Sequence, residues 1–168
     1  MLIELRPANE DDGEDIYEMI VELGPGENGY INSGFDIPYV DFPKFLKGKV
    51  DMSEGTNLPP HYVPQTTYWL LVNSRPVGIG KLRHYLNDDL RRSGGHIGYT
   101  IRPSERSKGY GYIILNELIK AAKQKKIREL LLTCNEVNLS SRKVIEANSG
   151  RLQYLENGKC TYLISVEM

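Results

Sequence analysis

Ile3 and Leu5 alternate with Glu4 and Arg6, and this period of two predicts a short first strand. Ile16, Tyr17, Ile20, Val21 and Leu23 then recur at helical spacing. Residues 9–12 offer N-cap side chains for that helix, and Gly24-Pro25-Gly26 ends it. Residues 24–38 are rich in Gly, Pro and Asn and predict loop. Phe42, Phe45 and Leu46 mark a second helix over 39–50. Residues 51–65 predict another loop, long enough to line a substrate entrance.

Residues 66–72 (TTYWLLV) predict a strand, and a turn at 73–76 leads to a partner strand over 77–85. A polar connector (86–95) precedes a strand over 96–102. The loop 103–111 then opens a strong helix with Gly111, Ile114, Leu115, Leu118, Ile119 and Ala122 on one face. Residues 129–133 are almost wholly apolar, as at the centre of a sheet. A short helix over 138–148 stops at Ser149-Gly150, and Asn157-Gly158 between two alternating runs predicts a closing hairpin. This order implies an α/β (α+β) fold: one domain over 1–168, with a mixed, mostly antiparallel central sheet flanked by helices.

Composition narrows the class. With 40% hydrophobic and 26% charged residues, the chain is globular in type. Cys134 and Cys160 form no framework, which suits a reducing, cytoplasmic setting. The first residues lack the basic-then-apolar pattern of a signal peptide, and no apolar run approaches a membrane span. A net charge of −1 argues against a nucleic-acid partner. The distribution is uneven: residues 102–128 carry eight basic side chains against two acids, and residues 1–65 carry thirteen acids against four basic residues. Such asymmetry suits an anionic cofactor on one half and a cationic substrate near the other; equally, it describes two solvated helix faces. No His, Cys and carboxylate grouping has metal spacing.

The most informative segment is Arg106-Ser107-Lys108-Gly109-Tyr110-Gly111, between a strand and a helix start. The first turn of a helix leaves N–H groups without partners and carries the positive end of the dipole. Glycines there let the main chain close on a pyrophosphate, and Arg106 and Lys108 add charge. A Walker loop is absent, and Ile114 stands where a dinucleotide fingerprint needs its third glycine.

Arg106-x-x-Gly109-x-Gly111 resembles the Arg/Gln-x-x-Gly-x-Gly/Ala motif of the GCN5-related N-acetyltransferase (GNAT) superfamily. Residues 98–103 resemble the bulged strand preceding it, and Asn138-x-x-Ser141 with Lys143, Val144, Ile145, Glu146 and Gly150 resembles the family's fourth-helix signature. The resemblance implies an acyl-CoA N-acyltransferase-like fold and an enzyme that moves the acetyl group of acetyl-CoA to a small-molecule or peptide amine by direct attack. Residues 66–168 would then form the cofactor-binding core and C-terminal hairpin, with 1–65 as the variable acceptor side. The pyrophosphate would lie on Arg106, Ser107, Lys108, Gly109, Tyr110, Gly111 and Tyr112. Tyr99, Thr100 and Ile101 would follow the pantetheine arm and supply an oxyanion donor, with Asn138 and Ser141 also at the cofactor. Dimerisation is common in the family, so a homodimer is a further implied partner.

His96, at a strand start, and Glu136, after the central strand, are the candidate general bases. Asn138 is equally a helix cap, and His96 equally an exposed strand end. Arg83, His84 and His61 are substrate-side candidates, and Tyr30, Tyr39, Tyr62 and Tyr68 could line an acceptor pocket. Many relatives carry a Tyr, the proton donor to the leaving thiolate, where this chain has Ile145. That departure motivates an alternative: a module that senses acetyl-CoA with little turnover.

Overall fold

The computed structural model describes residues 1–168. β1 (Ile3–Pro7), β2 (Gln65–Val72), β3 (Arg75–Arg83) and β4 (Ile97–Ile101) form one antiparallel sheet in that spatial order. β5 (Glu129–Asn135), β7 (Lys159–Ser165) and β6 (Arg151–Glu156) form a second, with β7 in the middle. Around them lie α1 (Glu14–Leu23), α2 (Phe42–Glu54), the short α3 (Asp88–Arg92), α4 (Tyr110–Gln124) and α5 (Leu139–Ala147).

β2 is buried along its whole length because both faces are covered. Tyr68, Leu70 and Val72 point into the larger core with Ile114, Leu115 and Leu118 of α4. Trp69 and Leu71 point the other way, onto Ile16 and Ile20 of α1 and Phe42 and Leu46 of α2. The period-two pattern of one strand thus feeds two helix layers.

Three local expectations are corrected. The cap of α1 is Gly13, not a side chain of residues 9–12. Asp12 is drawn away by the indole N–H of Trp69 (2.6 Å) and by Arg6 (3.4 Å), partners that lie outside its own segment. α2 runs on to Glu54, so the expected loop shortens at both ends, and β2 begins at Gln65. The polar connector 86–95 contains α3, capped by the Asn87 side chain, which accepts from the Leu90 N–H at 3.0 Å.

The two sheets meet at one point. His96 donates its N–H to the Leu131 carbonyl (2.7 Å), and its ring Nδ1 accepts from the Leu131 N–H (3.0 Å). Gly95 bridges Leu132 there with φ 63°, and a Cβ on it would lie 2.2 Å from the Leu131 oxygen. Only a glycine permits that approach. Beyond this pin no ladder joins β4 to β5, and the gap between them is the head of a cleft.

Candidate active site

The cleft has a volume of about 840 Å³. Its walls include β4, the 105–112 corner, the start of α5, the cleft side of β5 and parts of the 27–33 segment, α2 and β3. Of the cofactor residues expected from sequence, Tyr99, Thr100, Ile101, Arg106, Ser107, Gly109, Tyr110, Gly111, Tyr112, Asn138 and Ser141 line it. Lys108 does not; its ammonium pairs with Glu105 at 2.9 Å.

At one end, the main chain makes the site. None of the N–H groups of residues 107–112 has an acceptor in the protein, and α4 has no side-chain cap. Ser107 (φ 64°) and Gly109 (φ 84°) give this corner the left-handed backbone of a tight turn leading into the helix. Six free donors at a helix N-terminus form a cradle that fits a diphosphate. Arg106 is held in place by the Ile101 carbonyl (2.9 Å) and by an ion pair with Glu27. Its charge at the cleft is therefore partly neutralised.

β4 carries the line of the site inward. The Arg102 N–H donates to Val77 (2.9 Å), so hydrogen bonding to β3 falls on even-numbered residues. By alternation the N–H and C=O groups of Tyr99 and Ile101 turn away from β3, toward the gap, while Thr100 spends its own on β3. Across the gap, the Tyr99 hydroxyl lies 3.3 Å from Ser141 Oγ. Burial, partly offset by that hydrogen bond, pushes the Tyr99 phenol up to about 12. Asn138 caps α5 by accepting the Ser141 N–H at 3.2 Å, so its capping role and its place on the cleft coexist.

A family model described as Acetyltransferase (GNAT) domain matches residues 3–150. The chain belongs to the GNAT acetyltransferases. Solved structures share the fold. The Campylobacter jejuni N-acetyltransferase PseH in complex with acetyl coenzyme A is 16% identical, covers 99% of this chain and 100% of its own, and has a TM-score of 0.63. RimL, a ribosomal L7/L12 α-N-protein acetyltransferase in complex with coenzyme A, is 17% identical over 98% of this chain and 94% of its own, with a TM-score of 0.67. A GNAT acetyltransferase from Streptococcus pneumoniae is 14% identical over 99% and 100%, at 0.64. No curated protein matches the sequence. As a GNAT domain the chain is an acetyl-CoA-dependent N-acetyltransferase, and a sensor without transferase activity is not supported.

The departure from Tyr at position 145 is met by other hydroxyls on the same cleft. Ile145 is 1% exposed, packs in the main core and reaches the cleft wall there with an aliphatic side chain that can donate no proton. A hydroxyl pair, Tyr99 with Ser141, stands on the cleft instead.

His96 and Glu136 are not brought into the cleft. His96 is the pin between the sheets, and burial, with Arg83 and Arg91 nearby, lowers its pKa to about 4. An imidazole so reluctant to take a proton is a poor base near neutrality. Glu136 is an exposed residue of the β5–α5 turn, its N–H donated to Gly158 (2.8 Å). His84 is held by Thr66 Oγ1 at 2.7 Å, and neither it nor His61 lines the cleft. Tyr30 and Tyr62 do, whereas Tyr68 is core and Tyr39 packs edge-on against Tyr17.

The charge asymmetry resolves as solvated and structural faces. Of the thirteen acids in residues 1–65, only Glu27 lines the cleft, already paired with Arg106. Glu22 is spent on Arg102 (2.9 Å) and on the Ser104 N–H (2.7 Å), anchoring α1 to the end of β4. The expected cationic substrate thus loses its support. Sequence reasoning passed over Lys49 and Lys81, which line the far end beside Arg83. A signal existed: Phe42, Phe45, Leu46 and Lys49 stand at i, i+3, i+4 and i+7, placing a lysine on the buried stripe of α2.

Proposed function

We propose that this acetyltransferase acts by direct attack of a primary amine in a ternary complex, with the acceptor entering between β3, α2 and the 27–33 segment. Six unpartnered amides over 107–112 carry the reading, because they form a diphosphate cradle one strand-length from the place where β4 and β5 part. Bound acetyl-CoA supplies an activated thioester. The amides of 107–112 hold its diphosphate, and the outward main chain of Tyr99 and Ile101 aligns the pantetheine arm. A Tyr99 or Ile101 N–H, already oriented, stabilises the oxyanion that develops on the acetyl carbonyl. As the nitrogen–carbon bond forms and the carbon–sulfur bond breaks, the Ser141 hydroxyl, hydrogen-bonded to Tyr99, would give its proton to the departing sulfur and regain one through water from the amine nitrogen, so that free thiol and a neutral amide result. Holding both substrates in register supplies much of the acceleration, of the order of 7–11 kcal/mol for well-oriented partners.

Calorimetry with coenzyme A tests this directly. Saturable binding with one site per chain is expected, together with release of free thiol when acetyl-CoA and an accepted amine are both present. Absence of heat with coenzyme A would overturn the reading.

A further inference from the structure

We propose that the acceptor is a small amine that also carries an anionic group, a carboxylate or a phosphate, bound by Lys49, Lys81 and Arg83. The inference rests on the transferase reading above and specifies its substrate class. These three side chains line the cleft together, and none belongs to any ion pair of the protein. Lys49 is only 9% exposed, and its ammonium donates to Ser33 Oγ at 2.6 Å. Lys81 donates to the Ile31 carbonyl at 3.0 Å and sits over the Tyr30 ring, 4.4 Å from its centroid. Arg83 Nη1 donates to the Gly95 carbonyl at 2.8 Å. Each cation therefore has one neutral partner and further donors to spare.

Three sheltered like charges without a counter-ion raise one another's energy. Burial first, then Lys49 and Arg83, lower the Lys81 pKa to about 8, and burial likewise lowers those of Lys49 and Arg83. An anion among them would reverse that cost. The only carboxylates on the cleft, Glu27 and Glu105, are already paired with Arg106, Arg75 and Lys108.

The cluster is not placed to serve the cofactor diphosphate. Lys81 stands opposite Gly98, whereas the cradle follows Ile101, opposite Gly78. Three residues of strand separate Gly98 from Ile101, about 10 Å. Lys81 is instead one register position from Tyr99, where the acetyl group would lie. The anion and the nucleophilic nitrogen are thus a few bonds apart, which fits a small molecule.

The test compares amines differing only in the anion: glucosamine with glucosamine 6-phosphate, serinamide with serine, and spermidine as a cationic control. The anionic member of at least one pair should show kcat/KM at least tenfold above its neutral partner, and the responding pair separates phosphate from carboxylate. Lys49→Met and Lys81→Met should each reduce that preference below threefold by raising KM, and Lys81→Arg should restore most of it. Coenzyme A affinity should stay within twofold in all three, which also shows that they fold. If none of these amines is acetylated, phosphate or citrate at matched ionic strength should still raise the melting temperature of the coenzyme A complex, and not that of the double Met variant. Preference for neutral or cationic amines, a preference unmoved by the variants, weakened coenzyme A binding in them, or no stabilisation by either anion where no amine reacts would overturn the inference. Coenzyme A binding to the unaltered protein would leave the transferase reading standing in each case.

Discussion

At the α4 end of the cleft, ligand-facing groups are amides of six consecutive residues, 107–112; at the other end they are side chains of α2 and β3, brought together across the 27–33 segment. The first end gets its polarity from backbone geometry and the helix dipole, so its chemistry changes little when exposed side chains change. The second depends on three individual cations and on what keeps carboxylates away from them. One end is thus suited to an invariant ligand and the other to a variable one. Between them stands the His96 pin, which holds the strands together at one point and lets them part at the next.

That pin carries the largest expected effect. The folded state keeps His96 neutral down to about pH 4, while the unfolded chain takes up a proton near 6.5. The unfolded state therefore binds more protons in acid, so this contribution is complete above pH 6.5 and is lost as pH falls toward 4. A displacement of that size is worth about 3 kcal/mol. Denaturant unfolding at pH 7 and pH 4.5 should show most of it, superimposed on other titrations. His96→Asn keeps an acceptor for the Leu131 N–H and should flatten that part of the profile while leaving kcat within about threefold. A catalytic base there would instead cost a factor of about 100 or more.

The junction of the two ends comes next. Ser141→Ala should lower kcat about 100-fold with little change in the KM for acetyl-CoA, as expected for a lost proton donor. Equal loss in the KM for acetyl-CoA would make Ser141 a binding group belonging to the cofactor end.

Gly109→Val then probes the main-chain end alone. A β-branched residue at φ 84° is strained by about 1–3 kcal/mol, and the cradle must shift to relieve it. Coenzyme A affinity, by calorimetry, should weaken by about tenfold, and the acceptor KM should hold. Lys108→Ala is the smallest. Its ammonium is turned onto Glu105 and off the cleft, so coenzyme A affinity should change less than twofold. A larger loss would mean that side-chain charge matters at the end described here as main-chain.

Much of the fold was legible because its signals are local. The aromatic and aliphatic run of β2, the apolar face of α4 and the Asn-Gly hairpin are each visible over a few residues. The amide corner was legible for the same reason: strand, Arg-x-x-Gly-x-Gly and helix start are contiguous, and the geometry of a helix N-terminus follows from its backbone. Residues 9–12 misled because Asp12 answers to Trp69, fifty-seven positions away. His96 and Glu136 lay at suitable strand ends, yet which way such a side chain turns depends on the neighbouring strand.

By itself, then, the sequence determined the order of the strands and of every helix but α3, and the amide corner at the start of α4, since periodicity and backbone geometry act over a few residues. Tertiary structure alone decided where the acids of 1–65 point, that His96 joins two sheets, and that Lys49, Lys81 and Arg83 share one wall. Charge acts through space, and only the folded chain says which charges are neighbours.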